Sequence, residues 1–251
     1  MKRRIPLFDD FDINEHNITG LQDSQKEERD KLLKQNLHEI IKICDKYKVP
    51  YWLDAGTLLG LYRDKDLIKG DSDNDIGINI KDVTYEFVNA LAEHANFPMS
   101  KQSFYSGEEL SKLFDTDEFV PVKNLKYTTL NDKKQPVKID TEIWTDLVFY
   151  CDNEDYLTYK IARNYFRQPK KFLKSLKSIR RNGYSYKIPG DVEGYLEQEY
   201  GEGWSTPDTS YSSYQDKSRK NIYVIPAKDF EKKYGKMFFN FKTGELKYEK
   251  Q

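Results

Sequence analysis

The sequence predicts an α/β (α+β) chain: one mixed sheet flanked by helices, with a helical or irregular C-terminal extension. Three observations carry this. Leu33, Leu37, Ile40, Ile41 and Cys44 recur at helical spacing, and Pro50 ends the pattern. Asp75–Ile80 alternates, with Ile76, Ile78 and Ile80 on one face and Asp75, Gly77 and Asn79 on the other, the period of a strand. Phe119–Leu130 and Val137–Tyr150 both have strand character, and the polar stretch Asn131–Gln135 between them predicts a long hairpin.

The remaining elements follow from local signals. Residues 1–22 are polar with scattered apolar positions and read as an irregular arm. Ser24 and Glu27 have the spacing of a capping box for the first helix. Tyr51–Asp54 suits a short buried strand, Gly56–Tyr62 a tight turn into a short helix, and Lys65–Asp73 a loop. Asp82 is placed to cap a helix with Phe87, Val88, Leu91 and Ala92 inward, ending near Pro98. Asp152–Asn182 reads as mostly helical and basic, and Pro189–Tyr200 as a helix stopped by Gly201. Met237–Phe241 and Glu245–Tyr248 frame a hairpin around Thr243-Gly244. The expected organisation is the arm at 1–22, a continuous domain at 23–210 and an extension at 211–251.

Composition narrows the function. With 33 % charged residues the surface is polar, and 19 Tyr and 14 Phe point to an aromatic core rather than a disordered chain. A net charge of −1 gives no general reason to expect nucleic-acid binding. Cys44 and Cys151 have no metal-ligand spacing and read as buried thiols, and His16, His38 and His94 are scattered, which argues against a His-based zinc site. The N-terminus is basic without an apolar segment behind it, and no apolar run approaches the ~20 residues of a spanning helix. The expectation is a cytoplasmic protein, with peripheral membrane association left open.

Chemistry concentrates between Trp52 and Ile78. A strand enters Gly56-Thr57, where a short helix begins; a glycine there permits close approach of a ligand, and helix-start amides favour an anion. Thr57 adds a hydroxyl, and Arg63 a fork of donors for phosphate. Asp71-x-Asp73-x-Asp75 follows. Alternate residues of an extended chain share a face, so such carboxylates can share a hard cation, and Mg²⁺ prefers a few carboxylates plus substrate phosphates. A bare Asp-x-Asp is commonly a solvated turn. The order strand, Gly-Thr turn, short helix, Arg, then Asp-x-Asp entering a strand is far more specific.

This block resembles the LicD/fukutin family of nucleotidyltransferase-fold phosphotransferases. The family's Gly-Thr-Leu-Leu-Gly-x-x-Arg segment is present at Gly56–Arg63, and its acidic segment is similar to Ile68-Lys-Gly-Asp-Ser-Asp-Asn-Asp-Ile76, with Lys69, Gly70, Ser72 and Asn74 departing from the usual residues. Thr145-Asp-Leu-Val-Phe-Tyr150 resembles the later strand that carries a further acid, and Tyr195, Tyr200, Gly201, Trp204 and Pro207 match a third segment in order. The resemblance implies a nucleotidyltransferase-like sheet in which Asp73, Asp75 and Asp146 are the metal-binding and catalytic acids, with Asp140 and Glu142 as rivals for Asp146. It implies donor contacts from Gly56, Thr57, Arg63 and Trp204, and Mg²⁺ or Mn²⁺ as cofactor. The implied donor is a CDP-activated alcohol such as CDP-choline, CDP-ribitol or CDP-glycerol, and the acceptor a hydroxyl of a glycan or lipid-linked glycan. Two other readings stand beside it: transfer of a nucleoside monophosphate from an NTP, and a non-catalytic scaffold that keeps the fold.

Between Lys160 and Lys187 stand ten Lys/Arg and no Asp or Glu, interleaved with Phe166, Phe172, Leu173, Leu176 and Ile179. Read as a helix, 160–187 is a basic amphipathic surface for peripheral membrane contact or a polyanionic acceptor, a source of cations for the donor's diphosphate, or a solvated face. No nucleic-acid recognition motif accompanies the charge.

Overall fold

The structure is a computed structural model that describes residues 22–96, 104–139, 141–161, 163–207 and 223–250. Most of the expected N-terminal arm, Asp140 and the first part of the C-terminal extension lie outside the described residues. In chain order the elements are α1 (Asp23–Tyr47), β1 (Trp52–Leu53), α2 (Ala55–Leu59) continuing as a π-turn (Gly60–Asp64), β2 (Asn74–Asn79) and α3 (Tyr85–Leu91). Next come β3 (Phe104–Tyr105), α4 (Gly107–Leu113), β4 (Val120–Pro121), β5 (Asn124–Thr128), β6 (Lys138–Ile139), β7 (Thr141–Glu142) and β8 (Trp144–Asn153). The chain closes with β9 (Tyr156–Ile161), β10 (Asn164–Pro169), α5 (Lys170–Leu173), β11 (Lys177–Arg181), β12 (Tyr184–Ile188), α6 (Val192–Tyr200), β13 (Tyr223–Pro226), α7 (Ala227–Lys233), β14 (Lys236–Asn240) and β15 (Glu245–Glu249).

The long strand β8 organises the main sheet. Its first half lies between β2, which runs parallel to it, and β5, which runs antiparallel. Its far end passes the sheet on to β9, β10 and β13. β1 edges β2, and β3 edges β5. The β5–β8 pairing is the expected long hairpin, with the small β6–β7 hairpin folded into its connection. The sheet is mixed and flanked by helices, as the pattern of elements predicts.

Two apolar layers fix which face is which. Strand side chains alternate, so Leu147, Phe149 and Cys151 of β8 join Ile76 and Ile78 of β2 under α1, whose Leu37, Ile40, Ile41 and Cys44 cover them. Val148 and Tyr150 point the other way and pack with Trp52, Leu157, Tyr159 and Phe166. Polar groups also tie α1 to the sheet. The buried Asn74 amide donates to the Leu33 carbonyl (3.0 Å) and to Thr145 Oγ1 (3.3 Å), and Thr145 donates to Asn36 Oδ1 at 2.5 Å. Asn74 stands where an apolar residue is usual in the resembled segment, and these bonds satisfy its buried amide nitrogen.

Several expectations need correction. The helical reading of Asp152–Asn182 fails: the stretch is strands β8–β10, a single turn of helix at α5, and β11. The density of lysines and arginines says nothing about helix or strand, but Tyr156, Thr158, Tyr159, Tyr165 and Phe166 are strand formers, and Asn182-Gly183 is the strongest short hairpin signal, with φ of 51° and 83°. So 160–187 is not an amphipathic helix. Helix α1 is capped by Gln22 and Gln25 rather than Ser24 and Glu27, because it starts two residues earlier. The cap of α3 is Thr84, whose hydroxyl accepts from Phe87 N–H, and Asp82 instead ends a 3₁₀ turn. α3 ends at Leu91 and is followed by a 3₁₀ turn at Glu93–Ala95.

Trp52 lies across β2 opposite Gly77, and a Cβ on Gly77 would fall 2.2 Å from the indole ring. Gly77→Ala is therefore expected to cost about 1–3 kcal/mol by overpacking. Urea denaturation checks this; an unchanged midpoint would mean that the indole is free to move aside.

Candidate active site

Strand parity builds the site. Leu147 and Ile76 face α1, so Asp146 and Asp75 point to the opposite face, and Asp73, two residues before Asp75, shares it. The parallel register sets Asp75 directly beside Asp146. On the other side of β8 the antiparallel register sets Lys126 beside Asp146, while its neighbours Leu125 and Tyr127 go into the core. At the end of β1 the Asp54 N–H donates to the Asp75 carbonyl at 3.1 Å. The result is a row, Lys126, Asp146, Asp75 and Asp54, on one face of the sheet.

Each carboxylate has its own surroundings. Asp73 accepts the Trp144 indole N–H at 3.1 Å and the Ser72 hydroxyl at 2.9 Å. Asp71 accepts the Ser72 N–H at 2.9 Å, and its Oδ2 lies 2.8 Å from where a Cβ on Gly56 would stand, so the glycine makes room for this carboxylate. Asp146 Oδ1 is 3.6 Å from Lys126 Nζ and, among the described residues, accepts no hydrogen bond. Beneath the Asp71–Asp73 loop, buried Arg29 donates to the carbonyls of Ser72 (2.6 Å), Ile139 (3.0 Å) and Thr141 (3.3 Å), fastening the loop to the β6–β7 hairpin.

Burial first, and then neighbouring charge, raises the proton affinity of Asp71, Asp75 and Asp146. Burial, then the charge of Asp73, pushes Asp71 up to about 7. Burial raises Asp146 to about 7 as well, with Lys126 opposing and Asp73 adding to the rise. Asp75 is driven well above the usual carboxylate range by burial and then by Asp73, Asp146, Asp54 and Asp71. Such a set invites a cation. Among the described residues, however, no group of three or more His, Cys, Asp or Glu side chains is gathered tightly enough to hold a metal ion unaided.

Asp54 plays a different part. It is 4 % exposed and accepts hydroxyl hydrogens from Tyr150 (2.6 Å) and Tyr195 (2.5 Å) and the Ala55 N–H (2.9 Å). Burial raises its affinity for a proton, and the two tyrosines oppose that rise. One buried carboxylate thus joins the start of α2, the sheet and α6.

The four expected donor contacts are already engaged. The Thr57 hydroxyl accepts the Asp75 N–H at 2.8 Å and is buried, so it ties α2 to β2. Gly56 faces Asp71. Arg63 grips Asp64 through two bonds of 2.8 Å and reaches the Trp204 carbonyl at 3.3 Å, while the Trp204 ring packs near Tyr62, centroids 6.0 Å apart. The structure brings Arg63 and Trp204 together, with Arg63 internally paired. Of the rivals to Asp146, Glu142 is exposed on β7 and Asp140 lies outside the described residues. Lys126, Arg29 and Asp54 were not singled out in the sequence.

The family model of the LicD/FKTN/FKRP nucleotidyltransferase domain matches residues 48–191, a span that holds Gly56, Arg63, all four clustered aspartates and Lys126. The chain belongs to this family. It is also 28 % identical over 131 residues to the lipopolysaccharide cholinephosphotransferase LicD of Haemophilus influenzae, a match that covers 50 % of this chain and 44 % of that protein. The chain thus spans under half the length of that relative. The LicD match ends before α6, so Tyr195 and Trp204 lie beyond it.

Two outcomes follow. Tyr195→Phe should cost roughly 1–3 kcal/mol, because a buried carboxylate loses a donor; chemical denaturation measures it, and a loss below a few tenths would show Asp54 to be satisfied without α6. The second concerns pH. Asp71 and Asp146 sit near 7 when folded against an ordinary value of 3.8, so their protonation favours the fold, and that stabilisation is lost as pH rises through 7. Metal-free protein should therefore melt higher at about pH 5.5 than at about pH 8, and Asp71→Asn should flatten the difference. Asp66, Asp152 and Glu231, held below their ordinary values, act oppositely and only at lower pH.

Proposed function

We propose that this chain is a Mg²⁺-dependent transferase that moves a phosphorylated alcohol from a CDP-linked donor to a glycan hydroxyl. The observation that supports it best is the β2–β8 register, which sets Asp75 beside Asp146 with Asp73 on the same face. The donor set fits a hard cation: a buried Asp75 whose proton affinity is raised by burial and then by its neighbouring carboxylates, and a buried Asp146 oxygen without a hydrogen-bond donor among the described residues. Asp73, Asp75 and Asp146 would hold the ion, with substrate phosphates completing a shell that the protein alone leaves short. When bound, Mg²⁺ supplies neutralising charge to the donor's diphosphate and its leaving phosphate.

The chain's own residues do the rest. Trp144 and Ser72 orient the Asp73 carboxylate. Lys126 places positive charge against Asp146. The acceptor oxygen attacks the phosphorus that bears the alcohol; its bond to the CMP phosphate oxygen breaks, and CMP leaves. The acceptor's proton passes to Asp146 and then to water. No described helix is long and apolar enough to cross a membrane, so contact with a lipid-linked acceptor would be made from the surface. The basic residues of 160–187, carried on strands and the β11–β12 hairpin, remain the surface for it.

A thermal-shift panel of CDP-choline, CDP-ribitol, CDP-glycerol, CTP and ATP, with and without Mg²⁺, tests the reading. At 100-fold excess over Kd a CDP-alcohol should raise Tm by roughly 5–10 °C, and only with Mg²⁺. Asp75→Asn should abolish that rise while making the metal-free protein more heat-stable, since it relieves like-charge repulsion. A rise with triphosphates alone would favour nucleotidyl transfer instead.

A further inference from the structure

The β2–β8 ladder fixes only two of the three acids assigned to the metal. Its register opens at Asn74 and Thr145, so Asp75 and Asp146 stand inside it, while Ser72 and Asp73 precede it on a loop. Asp73 must nonetheless keep its carboxylate beside the other two.

Arg29 supplies what the ladder does not. It is 1 % exposed, on the buried stripe of α1 with Leu33, Asn36 and Leu37. Its guanidinium meets two separate segments at once. Nη2 donates to the Ser72 carbonyl at 2.6 Å and reaches that of Glu142 at 3.5 Å, while Nη1 donates to the carbonyls of Ile139 at 3.0 Å and Thr141 at 3.3 Å. The Ser72 carbonyl belongs to the planar peptide from which Asp73 starts, so this bond sets the direction in which Asp73 departs. The β6–β7 side of the clamp also reaches the carboxylate, because Trp144, two residues after Glu142, donates its indole N–H to Asp73. Main chain and side chain of Asp73 are thus held from the same segment. A guanidinium is costly to bury unless its N–H groups find acceptors, and a lysine has no planar fork with which to span the two segments.

Resting on the metal-dependent reading above, we infer that Arg29 is a positioning residue for the metal: by locking the Ser72–Asp73 peptide to the β6–β7 hairpin, it holds Asp73 ready beside Asp75 and Asp146 before the ion arrives.

Titration of the intact protein with Mn²⁺ in the presence of CDP, followed by the free-ion EPR signal, tests this. Arg29→Lys keeps the charge and loses the fork, and it should weaken Mn²⁺ binding roughly 10–100-fold. Asp73→Asn should weaken it as well, and Arg29→Lys added to Asp73→Asn should weaken it no further, because the two act through one carboxylate. A role in folding alone would leave Mn²⁺ affinity of Arg29→Lys within about twofold of wild type, or would add its full loss to that of Asp73→Asn. Either result overturns the inference and leaves the parent reading standing. Wild-type protein that binds no Mn²⁺ overturns both. Should Arg29→Lys fail to fold, hydrogen exchange on the wild type decides: Mn²⁺ with CDP should slow the amides of residues 71–73 and of β6 and β7 together, and slowing at the loop alone would overturn the inference.

Discussion

Like charges held side by side are the constraint on which the site depends. The parallel pairing of β2 with β8 forces Asp75 against Asp146, with Asp73 and Asp71 close behind. Left alone, such a group would push its strands apart or take up protons. The surroundings oppose both. Asn74 and Thr145 pin the same two strands to α1 from the far face, Arg29 holds the loop by its carbonyls, and Lys126 offsets part of the charge. The scaffold thus holds the acids together against their own repulsion.

Much of this was legible in the sequence. The alternation of Asp75–Ile80 and the apolar stripe of α1 both gave the correct faces, because each is a long, unambiguous period. Asp73, Asp75 and Asp146 were named from resemblance, and the register places all three on one face. Lys126 went unmarked although a signal existed: it is a lone charge between Leu125 and Tyr127 in a strand, and alternation alone sends it to the side opposite the core. Arg29 lies one turn before Leu33 on the buried stripe of α1, a charged residue where an apolar one belongs. What no local pattern carried was the engagement of Thr57 with Asp75 and the reach of Arg63 to Trp204, since those partners are distant in the chain.

The basic stretch shows how composition can mislead. The density of basic residues says nothing about helix or strand, while the aromatic and β-branched residues between the charges favour strands, and Asn182-Gly183 marks the turn. The charge itself remains, now spread over β9, β10 and the β11–β12 hairpin, whose Arg181 donates to the Leu61 carbonyl next to the π-turn of Arg63.

The hydroxyls that converge on Asp54 carry its hydrogen bonding past the end of the matched span. The family model's match ends at Asp191, yet the carboxylate at the head of α2 is completed by Tyr195, four residues further on. A mutation in α6 would therefore be felt at the strand that positions the acids. The end of the matched span cuts across a hydrogen-bonded triad, so the carboxylate at the head of α2 has all its donors only with α6 in place.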